Sequence, residues 1–241
     1  MASVQVSDME SGEGMDRATL SLTGAQEALL RAVAATDTPL ITVFIQGRPL
    51  DMTLASELSD ALLTAWYPGE RGGAALASVL LGDANTSGRL PLSVPRDAGQ
   101  LPVYYQQGRV NDYADMPGSP LYPFGYGLGY TTFSYDSIAV SAGTPSASAL
   151  VRVEVTVTNT GGCSGSEVVQ LYLRDEVVSA RVCDKRLVGF QKLNLAPGET
   201  VVAVFDLDAD IEPGTFTIMA GPSSADLPLV KTVRYPEFIK F

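Results

Sequence analysis

An acidic loop near the start of the chain holds the residues best suited to chemistry. Residues 9–20, MESGEGMDRATL, bring together Glu10, Glu13, Asp16 and Arg17. The chain has no histidine, which excludes Ser-His and Cys-His catalysis and His-ligated metal sites. Proton transfer would therefore depend on carboxylates, Lys, Tyr, Ser or Cys. The local sequence alone favours a solvated acidic turn; the alternative is a loop that presents one acid to a substrate.

Composition restricts the kinds of partner. Hydrophobic residues make up 46% and charged residues 18% of the 241 positions, which is typical of a globular chain of one large or two ordinary domains. The net charge is −11 and no basic cluster stands out, so nucleic acid and an anionic membrane are poor partners. A neutral small molecule or another protein fits better.

Targeting signals and cysteines give little further information. No apolar run reaches the roughly 18 residues of a membrane span, and the polar, acidic first residues do not read as a signal peptide. Both a cytoplasmic and a secreted location stay open. Cys163 and Cys183 form no CxxC pattern, so we expect two free thiols, with a single bridge as the alternative.

The first half of the chain alternates predicted helices and strands. Apolar spacing predicts helices over 22–36, 51–65 and 73–81, and short apolar runs predict strands over 39–47 and 89–94. This alternation predicts an α/β fold with a mainly parallel sheet. A stretch rich in Gly, Pro and Tyr then follows from residue 97 to 130, and loops of this length are often functional.

The second half has an all-β pattern. LVRVEVTVTNTG alternates apolar and polar residues with period two, and further strand-like runs follow in EVVQLYLRD, KRLVGFQKLNL, TVVAVFDLD and EPGTFTIMAG. Evenly spaced short strands with Gly/Pro turns indicate a β-sandwich. The fold class is therefore α/β followed by all-β, and we place the domains at 1–137 and 138–241.

Several motifs in order resemble one family. AWYPGERGGAALASVLLGDANTSGRLPLSVP, LPVYY and PLYPFGYGLGYTTFSY resemble the C-terminal half of glycoside hydrolase family 3, the β-glucosidase and β-xylosidase group. VTNTGGCSGSEVVQLYLRD and RLVGFQKLNLAPGET resemble the immunoglobulin-like, fibronectin type III-like domain that ends many of these enzymes. The resemblance implies part of an α/β sandwich domain followed by that β-sandwich.

The resemblance also implies a function. Enzymes of this family hydrolyse terminal, non-reducing β-D-glycosides with retention, using an aspartate nucleophile on a (β/α)8 barrel and a glutamate acid/base on the α/β sandwich. SGEGMDR resembles the family's acid/base loop, so Glu13 takes that role, with Glu10 as the runner-up. Asp16 and Arg17 are expected to brace the loop. No metal and no organic cofactor are implied.

Partners and sugar contacts follow from the same resemblance. The nucleophile is not among the residues we recognise, so a barrel-bearing partner chain or a further N-terminal domain is expected to supply it. Tyr113, Asp115 and Tyr122 offer aromatic faces and hydroxyl-binding groups to a β-glycoside substrate, although a packed Tyr/Pro/Gly loop is the alternative. A non-catalytic binding or scaffold module and a homo-oligomer also remain open. The choice among glucose, xylose and arabinose is not determined.

Overall fold

The described part of the chain forms two compact units. The computed structural model describes residues 2–5, 14, 17–108, 110–142, 151–176, 183–207 and 214–235. The first unit comprises residues 1–84, 93–103 and 111–122, and the second comprises 85–92, 104–110 and 123–241. The chain therefore passes between the units several times and remains in the second unit from residue 123 onward. The predicted domain division after residue 137 stays a prediction.

The first unit contains a parallel sheet with helices between its strands. Its strands, in the order β1-β2-β3, are β1 (Ala2–Gln5), β2 (Ile41–Ile45) and β3 (Ala61–Thr64). Its described helices are α1 (Gln26–Ala34), α2 (Thr53–Leu58) and α3 (Gly72–Leu80), and a 3-10 turn spans Ala98–Gln100. The prediction of an α/β region with a parallel sheet is confirmed.

Strand β2 lies at the centre of this sheet, as its continuous apolar sequence predicts. Val43 and Phe44 are buried, and Leu40 just before the strand is buried as well. Thr42, Val43 and Phe44 are consecutive and buried, so both faces of the strand lie away from water between its two parallel neighbours, which explains the mainly apolar run ITVFI.

Two elements of the first half differ from the predictions. The helix predicted over 51–65 ends at Leu58, and β3 follows, because Asp60 joins the chain to β2 through two hydrogen bonds with the backbone of Leu40. The strand predicted over 89–94 is only an isolated bridge between Val94 and Tyr122. Pro91 lacks a backbone N–H and so limits a hydrogen-bonded ladder.

The second unit is a β-sandwich of two antiparallel sheets. One sheet has the order β10-β9-β6-β7 and the other has the order β4-β5-β8. The strands are β4 (Phe133–Ala142), β5 (Val151–Asn159), β6 (Gly165–Asp175), β7 (Arg186–Leu195), β8 (Thr200–Leu207), β9 (Gly214–Gly221) and β10 (Leu229–Tyr235). The all-β prediction for the second half is confirmed.

Alternation along the strands produces the core of the sandwich. Val153, Val155 and Val157 of β5 point inward and are fully buried, while the alternating residues Arg152 and Glu154 are exposed. Inward residues of β6, β7, β8 and β9 join them in one apolar cluster. The period of two in the sequence is thus the direct consequence of one face meeting the core and the other meeting water.

Candidate functional site

The acidic loop is described only in part. Glu10, Glu13 and Asp16 lie outside the described residues, so their predicted roles stay predictions. Gly14 has a φ of +71°, a backbone conformation that favours glycine. Its position in SGEG gives a left-handed turn directly after Glu13.

Arg17 is half-buried at the end of this loop. Its Nη2 donates a hydrogen bond to the carbonyl oxygen of Ser21 at 3.0 Å. Its Nη1 is buried and has no hydrogen-bond partner among the residues that the structure describes. The bond to Ser21 ties the guanidinium to the following segment, which is the kind of contact that a bracing residue makes. The predicted loop-support role of Arg17 stays a prediction.

The turn that carries two of the predicted sugar-binding residues is held from within. The buried amide nitrogen of Gln100 donates to the carbonyl oxygens of Pro117 at 3.0 Å and Ser119 at 3.2 Å. Asp112 accepts a hydrogen bond from the backbone nitrogen of Gly118 at 2.9 Å. These bonds fix the backbone of residues 112–119 on both sides of the turn.

The three predicted sugar-binding residues have different surroundings. Tyr113 is 42% exposed and its hydroxyl lies 3.4 Å from the carbonyl oxygen of Gly99, and Asp115 is exposed on the same turn. The half-buried Tyr122 has its hydroxyl 2.9 Å from Oγ of Ser56. Tyr113 and Asp115 are therefore open to a ligand, whereas Tyr122 is already engaged by the fold.

A second cluster of polar side chains lies in the β-sandwich unit and was not predicted from the sequence. Arg89 donates to one carboxylate oxygen of Glu167 at 2.6 Å, and the hydroxyl of Tyr135 donates to the other at 2.9 Å. Burial raises the pKa of Glu167, an effect that Arg89 and Tyr135 oppose only in part. Burial and the Glu167 carboxylate in turn raise the pKa of Tyr135. A period-two signal existed, because Glu167 shares the inward parity of Val169 and Leu171.

A cavity of about 520 Å³ opens beside this cluster within the β-sandwich unit. Its walls come from residues 85–89, 126–135, 166–167 and 222–228. Tyr126 and Phe133 provide aromatic surface, and Thr86 and Thr131 provide hydroxyl groups. A concave site with apolar walls and a few polar groups is the usual form of a small-ligand site.

Metal and membrane features are not found in the described part of the chain. The described residues include no cluster of three or more His, Cys, Asp or Glu side chains that could hold a metal ion. None of the helices that the structure describes has the length and apolar character needed to span a bilayer. Cys163 is exposed and Cys183 is half-buried, and both are free thiols.

The chain is similar in three dimensions to solved structures that are named as β-glucosidases. A β-glucosidase from Listeria innocua in complex with isofagomine superimposes with a TM-score of 0.89 and 32% identity, over 99% of this chain and 37% of that one. A β-glucosidase from Erythrobacter marinus gives a TM-score of 0.86 and 41% identity, over 91% and 31%.

Curated relatives of the chain are named as β-xylosidases and β-glucosidases. A β-xylosidase from Formosa agariphila is 42% identical over 231 residues, which covers 88% of this chain and 32% of the relative. A periplasmic β-glucosidase from Salmonella typhimurium is 39% identical over 238 residues, covering 88% and 31%. The chain thus spans about a third of the length of these relatives.

Family models match both halves and confirm the resemblance seen in the motifs. A fibronectin type III-like domain matches residues 167–224. The glycosyl hydrolase family 3 C-terminal domain matches residues 2–130, more than half of the 241 residues. The chain therefore belongs to glycosyl hydrolase family 3.

Proposed function

We propose that this chain is the C-terminal portion of a retaining, exo-acting β-glycosidase that hydrolyses terminal, non-reducing β-D-glycosides. Residues 1–137 form part of its α/β sandwich domain, and residues 138–241 form its fibronectin type III-like domain. Glu13 is the general acid/base. A barrel-bearing partner chain or a further N-terminal domain supplies the nucleophilic aspartate, which lies outside these 241 residues.

The main support for this proposal is the similarity of the chain to known glycosidases. The family match runs from residue 2 to 130 and so includes the SGEG-x-DR loop, and the relatives matched along most of this chain are named as β-glucosidases and β-xylosidases. The left-handed backbone of Gly14, at a φ of +71°, supports a glycine-dependent turn beside Glu13.

The chemistry needs two carboxylates about 5–5.5 Å apart. The aspartate attacks the anomeric carbon while Glu13 gives its proton to the departing glycosidic oxygen, so that the C–O bond breaks and a glycosyl-enzyme ester forms. Glu13 then takes a proton from water, whose oxygen displaces the aspartate and leaves the sugar with its original configuration. Glu13 must start protonated, so its pKa must be raised by burial or by a neighbouring charge.

Chemical rescue tests the role of Glu13. The material to assay is the chain as purified with any barrel-bearing chain that accompanies it, on p-nitrophenyl β-glucoside and β-xyloside. Glu13→Ala should lower turnover of poor leaving groups by about 10²–10⁴-fold. It should spare the first step for a dinitrophenyl leaving group, which needs no proton. Azide, which needs no general base, should restore turnover and yield the β-glycosyl azide.

The matched control is Glu10→Ala. If Glu13 is the acid/base, this variant should show neither the dependence on leaving group nor the azide rescue. The reverse pattern would move the role to Glu10. Full activity in both variants would remove the acid/base from this loop.

A non-catalytic binding or scaffold module is the second candidate, and the cavity in the β-sandwich unit favours it. A site of about 520 Å³ could hold a ligand without any reaction. Native mass and activity of the same sample separate the two functions. A larger complex that cleaves a glycoside favours the enzyme, whereas a lone chain that cleaves neither substrate favours the module.

A further inference from the structure

The cavity in the β-sandwich unit is not used by the proposed catalysis, which assigns the acid/base to Glu13. At about 520 Å³ it falls within the roughly 300–1,000 Å³ that small-molecule sites occupy. It is lined by residues of the second unit only. The cavity could therefore bind a ligand without taking part in the proposed hydrolysis.

Hydrogen bonding inside the cavity favours a ligand that donates. The hydroxyl of Thr86 donates to the carbonyl oxygen of Leu128, and the hydroxyl of Thr131 donates to the side-chain oxygen of Asn159. Each hydroxyl donates its one hydrogen in these bonds, so only its lone pairs remain available, and they can accept a hydrogen bond from a ligand. The polar lining thus offers acceptors to a ligand rich in O–H or N–H groups.

Charges in the lining disfavour an anion. Arg89 donates from Nη2 to the carboxylate of Glu167 at 2.6 Å and from Nη1 to the carbonyl oxygen of Gly88 at 3.2 Å, so the Arg89–Glu167 pair is neutral as a whole. The buried Nε of Arg89 has no hydrogen-bond partner among the residues that the structure describes, which leaves one N–H donor beside these acceptors. Asp226, an exposed residue of the lining, adds a negative charge. Among the described residues that line the cavity, Arg89 is the one cation, and it is already paired with Glu167, so a phosphate or carboxylate ligand would meet the charge of Asp226 uncompensated.

Apolar surface completes the wall. Tyr126 and Phe133 present aromatic rings, and Leu128 is 72% exposed at the edge of the cavity. A pyranose has hydroxyl groups around its edge and C–H groups on its faces, so it matches acceptors combined with apolar walls.

We propose that this cavity is a non-catalytic binding site for a neutral carbohydrate. The choice of a sugar over another neutral polyol rests on the proposed function, since a glycosidase would gain from a second contact with its glycan. Binding itself needs neither Glu13 nor a barrel, so it can be measured on the 241-residue chain.

The test is a titration of the chain with cellobiose and with xylobiose, followed by calorimetry and by backbone amide shifts in NMR spectra. Spermidine serves as the cationic probe, because an acceptor-rich, acidic cavity could also take an amine. We expect saturable binding of a disaccharide, with shifts concentrated in residues 85–89 and 126–135. Glu13→Gln should bind equally well, so loss of the proposed catalytic role would not affect this result.

Variants with matched controls locate the site. Leu128→Ala and Asp226→Asn should each weaken disaccharide binding by about tenfold. The control for Leu128 is Leu81→Ala, since Leu81 is similarly exposed at 78% and does not line the cavity. The control for Asp226 is Asp37→Asn, an exposed carboxylate of the first unit.

Asp115→Asn separates this cavity from the proposed substrate site of the first unit, and it should leave the affinity unchanged. Absence of saturable disaccharide binding would overturn the proposal. Binding that survives both Leu128→Ala and Asp226→Asn would overturn it as well, as would binding of spermidine without either disaccharide.

Discussion

Arg89 and Glu167 lie 78 positions apart in the chain, yet their side chains meet at 2.6 Å inside the β-sandwich unit. Their side chains are only 10% and 3% exposed. The second oxygen of Glu167 accepts the hydroxyl of Tyr135, so both oxygens of the carboxylate are occupied. This buried ion pair connects the segment before the sandwich to strand β6.

Removing the cation should destabilise the unit strongly. Arg89→Met leaves the Glu167 carboxylate buried without its partner, and breaking a buried pair in this way costs about 3–5 kcal/mol. Urea unfolding followed by circular dichroism measures the loss. The double variant Arg89→Met/Glu167→Leu should lose less than Arg89→Met alone, because no charge remains uncompensated.

An exposed ion pair provides the control for this prediction. Arg152 lies 3.4 Å from Glu154, and both side chains are about half exposed, at 52% and 47%. Arg152→Met should cost less than about 1 kcal/mol, since water screens such pairs. Equal losses for Arg89→Met and Arg152→Met would contradict the assignment of the Arg89 pair as a buried, stabilising contact.

Glu167 should also make stability fall as pH rises. Burial raises its folded-state pKa above the ordinary 4.5, so the folded chain holds this proton more tightly than the unfolded chain. The contribution of Glu167 is fully present below pH 4.5 and is lost as pH rises through the higher, folded-state pKa. The unfolding free energy of the wild type minus that of Glu167→Gln should therefore decrease from acidic to neutral pH.

Asp136 should change stability with pH in the opposite direction to Glu167, so it serves as the internal control. Hydrogen bonds from Thr158 and Ser134 lower its pKa below 3.8. Its contribution is present above that value and is lost as pH falls through the folded-state pKa. The unfolding free energy of the wild type minus that of Asp136→Asn should thus be constant above pH 3.8 and decrease only as the pH falls below that value. A wild-type minus Glu167→Gln difference that increases with pH would contradict the raised pKa.

Gly125 should tolerate alanine poorly for a steric reason. Its φ is +82°, and an added Cβ would overlap the side-chain oxygen of Gln170. Gln170 is buried, donates to the carbonyl oxygen of Gly125 at 3.1 Å and accepts the hydroxyl of Tyr172 at 2.6 Å. Gly125→Ala should therefore cost more than the backbone strain alone, measured as a drop in thermal midpoint.

Gly198→Ala isolates the backbone contribution. Gly198 has a φ of +75°, and an added Cβ there would meet no atom of the described residues within 4 Å. Its cost should be the left-handed strain of about 1–2 kcal/mol. If Gly125→Ala costs no more than Gly198→Ala, then Gln170 does not hold this turn.

The proposed sugar contacts Asp115 and Tyr122 differ in their exposure, so their substitutions should have different effects. Asp115 is open to a ligand, so Asp115→Asn should raise KM or lower kcat/KM by about tenfold or more in the glycosidase assay, with an unchanged thermal midpoint. The hydroxyl of Tyr122 is engaged at 2.9 Å from Oγ of Ser56, so Tyr122→Phe should lower stability by about 0.5–1.5 kcal/mol. It should leave KM unchanged. The reverse pattern would exchange the two roles.

Local sequence predicted elements well where one interaction decided them. The run ITVFI predicted strand β2, and period-two alternation predicted strands of the sandwich such as β5, because burial on two faces or one leaves a direct trace in residue type. Strand β3 has the sequence ALLT, which suits a helix as well. Pairing with β2 decided it, and that pairing is a tertiary contact.

The candidate sites also include one that the sequence predicted and one that it did not. The motifs led to the family and to Glu13, since a loop such as SGEG-x-DR is contiguous in the chain. The Arg89–Glu167 pair and the cavity beside it were missed, because an arginine and a glutamate 78 positions apart look like two ordinary surface charges.

The α/β and all-β halves, the family and the acid/base hypothesis could all be predicted from the residues alone, because composition, periodicity and contiguous motifs are local properties. The fold was needed to show that Arg89 is the partner of Glu167, that Tyr122 is engaged while Asp115 is open, and that a cavity lies between distant segments. These features depend on which strands pair and which loops return to them, and the packing free energy that selects those pairings is a property of the whole unit.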